Sequence, residues 1–450
     1  MFKKVHHIHF VGIGGSGMSG IAEVLINLGH KVSGSDLKKT EVTKHLSAIG
    51  AKIFIGHKRG NIKNAEVVVI STAVQNDNPE VLEALKNKIP VIRRVEMLAE
   101  LARLKYCITI AGTHGKTTTT SMTALVLSKG KLDPTLVVGG KLKNINTGAR
   151  LGKGDYLVAE ADESDGSFLK LSPAITVVTN IDNDHLDYYK TMENLKDAFV
   201  EHINSVPFYG AAIICSDDKI VSSIIPRIKR KYITYGLKGN PDLKASNVKV
   251  MKDFASYDVI YKKKKLGNVR IRIPGMHNIS NSLAAIGVGI WLGIPFNLIS
   301  KAIYSFDGVG RRLEVNGNKN NVMVIDDYGH HPTEIKATIE AIKHFFGKRK
   351  LIVLFQPHRY TRTQNLFNEF GESFGKADIV KVLDIYPAGE KPIEGINSDL
   401  IIKSMLKNKT NSCKFDSIEE VSKIISKGDI VLTLGAGDVW KQGEKLLTLI

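Results

Sequence analysis

The chain has 450 residues, 43% hydrophobic and 24% charged, which fits a soluble globular protein of two or three domains. No apolar run approaches the roughly 18 residues needed to span a bilayer, and Cys107, Cys215 and Cys413 are too sparse for a disulfide framework or a Cys-x-x-Cys metal site. A net charge of +18 and a pI near 9.5 favour anionic partners, but lysine is spread along the chain and aromatics are only 7%, which argues against a nucleic-acid groove. The expected compartment is the cytoplasm, with no membrane partner.

In chain order, the first predicted element is a strand at His7–Val11, which resembles a first strand more than a signal peptide. It runs into Gly12-Ile13-Gly14-Gly15-Ser16-Gly17 and a helix through about Leu28, which Gly29 ends. A second strand restarts at Lys31, and Asp36 follows. This is a βαβ unit with a Gly-x-Gly-x-x-Gly turn and an acid about 20 residues on, which taken alone predicts a dinucleotide and a nicotinamide-dependent oxidoreductase. A further buried strand, Val67–Ile70, ends in Ser71-Thr72, where a ligand could sit at the sheet's carboxyl edge. The block is expected to span residues 1–97.

The second block, residues 98–311, opens with an apolar strand (Tyr106 to Ile110), then Gly112-Thr113-His114-Gly115-Lys116-Thr117-Thr118, then a helix. Strand, glycine turn and helix N-terminus together bind polyphosphate, because backbone N–H groups and the helix dipole face the anion. Lys116 is placed to reach the terminal phosphates and the Thr117 hydroxyl to ligate Mg2+. The usual pattern has a glycine five residues before Gly115, where this chain has Ile110. An apolar strand then delivers Glu160 ahead of Asp162, Glu163 and Asp165, a position suited to holding Mg2+. The strand Ile175–Val178 leads into Asp182-Asn183-Asp184-His185. Asn278 and Asn281 are three apart at the start of an apolar helix and so share a face. Lys262 to Lys265, the densest basic run, reads as a solvated hairpin tip.

The third block, residues 312–450, contains three strands that each end in polar residues. Val322 to Ile325 runs into Asp326-Asp327-Tyr328-Gly329-His330-His331-Pro332. Leu351 to Phe355 runs into Gln356-Pro357-His358-Arg359-Tyr360-Thr361-Arg362, and Ile430 to Leu434 into Gly435-Ala436-Gly437-Asp438. Ligands bind α/β sheets at this edge. Metal binding by His330 and His331 is disfavoured, because adjacent side chains diverge.

These segments, in this order, resemble the ATP-dependent ligases that build the peptidoglycan stem peptide. The resemblance runs nearly end to end. Its narrower features, GIGGSGMSG from Gly12, EADESD from Glu160, DDYGHHP from Asp326 and QPHRYTR from Gln356, are similar to those of the member that acts first, on UDP-N-acetylmuramate and L-alanine. The resemblance implies an α/β chain of three domains: a Rossmann-like N-terminal domain, a central P-loop-type ATPase domain with a mostly parallel sheet, and a Rossmann-like C-terminal domain. It replaces the dinucleotide reading, because in this family the first domain holds the UDP-sugar, here through Gly14, Gly15, Ser16, Gly17, Met18, Ser35, Asp36, Ser71 and Thr72. It implies ATP and Mg2+. Gly112 to Thr118, Asn278, Asn281, Arg312 and Asp327 would hold the nucleotide, with the two asparagines on adenine. Thr117, Glu160 and His185 would hold metal, and Lys116, Glu160, His185 and Arg312 would serve catalysis. His330, His358, Arg359 and Arg362 would receive the amino acid. Sister ligases carry a carbamylated lysine that Lys196 does not match, and the segment Asn146-Thr147-Gly148-Ala149-Arg150 departs from the family's pattern. The implied partners are small molecules, with a homodimer left open; a recycling ligase that joins a preformed peptide to the same sugar is the alternative.

Overall fold

The computed structural model describes residues 5–450 except 72, 76, 143–146 and 252–253. Three sheets organise the described residues. In the first, β1 (His7–Val11), β2 (Lys31–Asp36), β3 (Lys52–Ile55), β4 (Val67–Ile70) and β5 (Val91–Arg93) lie in the order β3-β2-β1-β4-β5, every pair parallel. Sheet growth reverses at β1, which makes the carboxyl ends of β1 and β4 a topological switch point where α/β sheets open a crevice. All of β1 is buried, so the strand reads as a continuous rather than an alternating pattern. The helix Ser16–Asn27 follows β1, and Gly29 adopts φ +89° just beyond it, the left-handed stop expected there.

The second sheet contains β6 (Tyr106–Ala111), β7 (Thr135–Leu142), β8 (Thr147–Arg150), β9 (Tyr156–Glu160), β10 (Ile175–Val178), β11 (Ala211–Cys215), β12 (Tyr232–Gly236), β13 (Leu243–Val250), β14 (Ala255–Tyr261) and β15 (Lys264–Ile271). Its order is β15-β14-β13-β12-β11-β10-β6-β9-β7-β8. The strands β6, β9, β10, β11 and β12 pair in parallel. The glycine loop leaves β6 between β10 and β9, so the ends of both neighbours flank it. β14 and β15 form a hairpin whose two loop residues, Lys262 and Lys263, have φ +47° and +67°, the positive pair of a type I′ turn. The expected hairpin is therefore present, although Lys264 and Lys265 belong to its second strand.

In the third sheet, β16 (Glu314–Lys319), β17 (Val322–Asp327), β18 (Leu351–Phe355), β19 (Ile379–Val382), β20 (Ser412–Lys414) and β21 (Ile430–Leu434) lie in the order β16-β17-β21-β18-β19-β20. Only β16 runs antiparallel. The three strands predicted to end in polar loops are thus adjacent, and their loops share one edge. One apolar layer (Ile335, Phe355, Phe370, Leu432) covers one face and another (Val324, Leu354, Val431, Leu446) the other.

The chain divides into two compact units: Met1–Val248 with Tyr257–Arg270 and Ile279–Phe306, and Lys249–Ser256 with Ile271–Asn278 and Asp307–Ile450. The α/β class and mostly parallel sheets match the expectation. No helix among the described residues is long and apolar enough to cross a membrane.

Candidate active site

Within the first unit, the glycine loop is fixed by close backbone approach. Gly112 has φ +123°, and a Cβ there would lie 2.2 Å from Thr179 Oγ1. The segment after β10 laces the loop in place: Thr113 N donates to Asn180 O (3.1 Å), His114 N to Asn180 Oδ1 (2.8 Å), and Asp182 N to Thr113 Oγ1 (2.9 Å). The His114 ring is engaged by Asp182 at 2.9 Å. The helix runs Lys116–Lys129. Gly115 caps it at φ +81°, where a Cβ would lie 2.6 Å from Asn281 Oδ1. Asn281 is therefore brought to the loop. No acidic residue occupies the helix's first turn, which leaves its positive end available to an anion. Thr117 gives its carbonyl to Ser121 Oγ (2.7 Å).

The Lys116 ammonium donates to Gly112 O (2.8 Å), to Thr113 O (3.3 Å) and to both Glu163 oxygens (3.1 and 2.8 Å). Burial alone would lower its pKa, but Glu163, Asp162 and Glu160 outweigh that and raise it. Asp162 is likewise held ionised against burial by Lys116, Arg94 and His185. Three carboxylates around one ammonium leave surplus negative charge, and oxygen donors of that kind suit a hard divalent cation. His185 has φ +61° and its ring lies 3.6 Å from Asp184. Glu163 was not singled out from the sequence. It is one of four acids in six residues, and only the fold shows which of them meets the lysine. Lys196 pairs with Glu193 (3.3 Å), one turn away on its own helix.

The first glycine turn is also internally bonded. Ser35 O accepts Gly12 N (2.8 Å) and Ile13 N (3.0 Å), and Asp36 Oδ2 accepts Gly14 N (2.9 Å). Asp36 thus fastens the turn itself. Met18 is a core side chain, so only its backbone can face a ligand. The Ser35 hydroxyl points inward, donating to Glu80 Oε2 (2.5 Å) and lying 2.9 Å from His57 Nδ1. Ser71 is half-buried just past β4, whereas Thr72, residues 143–146 and the Ser16 side chain lie outside the described set. Arg94 approaches both segments: a Cβ on Gly17 would lie 2.9 Å from its guanidinium, which is 3.6 Å from Asp162. Sequence reasoning missed it because it opens an ordinary amphipathic helix.

In the second unit, Asp327 accepts Leu313 N and Gly329 N (both 2.8 Å), and burial pushes its carboxyl up to about 6. Arg311 holds Asp326 (2.9 Å) and the carbonyls of Gly435 and Gly437. Arg312 lies 3.7 Å from Glu334 and over the Tyr328 ring. Asn278, one turn before Asn281 on the helix Met276–Trp291, donates to Pro274 O (2.6 Å). The His358 ring stacks on Tyr386 with centroids 5.8 Å apart and meets the His330 ring at a tilt, 5.5 Å away, and Arg362 approaches His358 Nδ1 at 3.3 Å. Burial, then the neighbouring guanidiniums, lower the His358 pKa to about 4, and burial lowers that of His330 as well. Arg359 adopts φ +72°, strain tolerated where its N–H is fixed on Tyr386 O (2.9 Å). The edge of the third sheet therefore presents two neutral imidazoles beside two guanidiniums.

Three family models match the chain: Mur ligase family, catalytic domain, at residues 7–106; Mur ligase middle domain at 110–289; and Mur ligase, glutamate ligase domain, at 311–437. A UDP-N-acetylmuramate–L-alanine ligase of Endomicrobium trichonymphae is 69% identical over 100% of both chains. One of Geobacter sp. (strain M21) is 53% identical over 99% of this chain and 98% of its own. The solved structure of a UDP-N-acetylmuramate-alanine ligase from Thermotoga maritima matches with a TM-score of 0.84 at 29% identity, covering 98% of each chain. A murein peptide ligase from Psychrobacter arcticus matches at 0.74 and 23% identity, a likeness of fold alone.

Proposed function

The chain belongs to the Mur ligase family, and we infer from that membership that it joins L-alanine to the lactyl carboxylate of UDP-N-acetylmuramate at the expense of ATP. The observation that carries this reading is similarity along the whole chain to ligases of that name, 69% in one relative. A carboxylate oxygen attacks the γ-phosphorus, ADP leaves, and an acyl phosphate forms. The alanine amine then attacks the acyl carbon, and phosphate departs. The recycling reading, in which a preformed peptide replaces alanine, draws no support from these relatives.

Our assignment of roles follows the family resemblance, and the packing around Lys116 supports it. The loop Gly112–Thr118 cradles the triphosphate, and Lys116 meets the transferring phosphoryl group, where fixed positive charge lowers the barrier. Asn281, beside the loop, and Asn278 serve the adenine, Arg312 supplies further positive charge, and Asp327 orients the nucleotide by fixing the backbone at Leu313 and Gly329. Thr117, Glu160 and His185 would hold Mg2+, which when bound would neutralise phosphate charge. The turn Gly14–Gly17 receives the UDP-sugar at the switch point of the first sheet. Arg359 and Arg362 take the alanine carboxylate, while His330 and His358 stay neutral beside them. Residues 1–97, 98–311 and 312–450 are the proposed domains, in a cytoplasmic enzyme free to act as monomer or dimer.

Phosphate release measured while each substrate is omitted in turn tests the reading. Release should require both UDP-N-acetylmuramate and L-alanine at full rate. Equal turnover with a stem tripeptide in place of alanine would favour the recycling enzyme instead.

A further inference from the structure

We propose that Glu163 is a positioning residue that holds Lys116 away from nucleotide, an internal counter-ion that the ATP phosphates must displace. The proposal rests on reading Gly112–Thr118 as the triphosphate site. An ammonium has three protons to donate, and here they face four acceptors: Gly112 O, Thr113 O and both oxygens of Glu163. No N–H is left for a phosphate. The lysine is folded back over its own loop, so nucleotide binding has to exchange at least one of these contacts.

Glu163 is built to stay where it is. Its carboxylate is 1% exposed. Its backbone carbonyl accepts the Tyr189 hydroxyl (2.6 Å) and Gly166 N (3.0 Å), which fixes the turn that carries it. A carboxylate so placed cannot swing into solvent when the lysine leaves, and an unpaired buried charge is unfavourable. The paired state is therefore the favoured resting state, and only the unpaired fraction can bind ATP with its intrinsic affinity. Asp162 and Glu160 act on Lys116 in the same sense.

The test is calorimetric titration of the full-length protein with ATP, with and without Mg2+, alongside thermal melting. Glu163→Gln should bind ATP about tenfold more tightly, as expected if some nine-tenths of molecules are paired at rest. Glu163→Asp, which keeps the charge, should fall back toward the parent. In a Lys116→Met background the gain from Glu163→Gln should vanish, because the latch acts through the lysine. A gain that persists there would overturn the proposal in favour of simple repulsion between carboxylate and phosphate. Unchanged or weaker ATP binding by a folded Glu163→Gln would overturn it outright, and a raised Mg2+ requirement would make Glu163 a metal-site residue. If Lys116→Met does not fold, a Lys116→Gln background serves for the same pair of titrations. Should folded Lys116→Met bind ATP as tightly as the parent, the reading of the loop itself fails.

Discussion

Lys116 carries the strongest residue-scale consequence. Lys116→Ala should lower ligation about 100- to 1,000-fold and cost stability as well, because Glu163 loses its buried partner. Near-parent turnover of the folded variant would contradict the role given to it. Glu80 offers a separate test, in pH and stability. It is fully buried, and burial alone would raise its pKa. His9, Ser35 and Asn61 hold it down instead, from 4.5 to about 2. A carboxyl lowered in the fold adds stability above its unfolded pKa and loses it as pH falls through the folded one. Here the contribution is about 3 kcal/mol. Glu80→Gln should therefore be less stable than the parent at pH 7, with the gap closing from about pH 4.5 toward 2 in urea titrations. A gap independent of pH would show that packing, not charge, accounts for the loss. Lys116 and Thr117 were legible in the sequence because a phosphate loop fixes their places by local geometry. Glu163 and Glu80 were not, because a glutamate in a helix or acid run looks alike whether it faces solvent or a buried partner.

At the scale of elements, the glycine turns determine where the ligand edges form. Gly112→Ala would force a Cβ to within 2.2 Å of Thr179 Oγ1 at a φ of +123°. It should cost about 1–3 kcal/mol of stability by overpacking and abolish ATP binding, both measurable by melting with and without nucleotide. A variant that still binds ATP would mean the loop tolerates displacement from the segment after β10. Strands buried on both faces were the easiest elements to read: Val67–Ile70, Ile175–Val178, Leu351–Phe355 and Ile430–Leu434 match their expected bounds, because short runs of apolar and β-branched residues bounded by polar loops leave little ambiguity. β19 and β20 were not predicted. They are short, carry lysines and depend on neighbours distant in sequence. The adjacency of β17, β21 and β18, which brings the three polar loops to one edge, was likewise a matter of topology rather than pattern.

For the whole molecule, the account divides the chemistry between two units. Lys116, proposed to meet the transferring phosphoryl group, belongs to the first, and the arginines proposed for alanine belong to the second. Arg359→Ala and Arg362→Ala should therefore raise the KM for alanine and release more phosphate per amide formed, since the acyl phosphate would still form and then meet water. Full coupling with parent-like alanine dependence in both variants would place the amino acid elsewhere. The central claim is that the sugar's own carboxylate takes the phosphoryl group before the amide forms. It can be followed with UDP-N-acetylmuramate carrying 18O in the lactyl carboxylate, with the released phosphate read by mass spectrometry. The account predicts that one carboxylate oxygen appears in inorganic phosphate for each amide made. Phosphate free of label, with product formed at the usual rate, would contradict it.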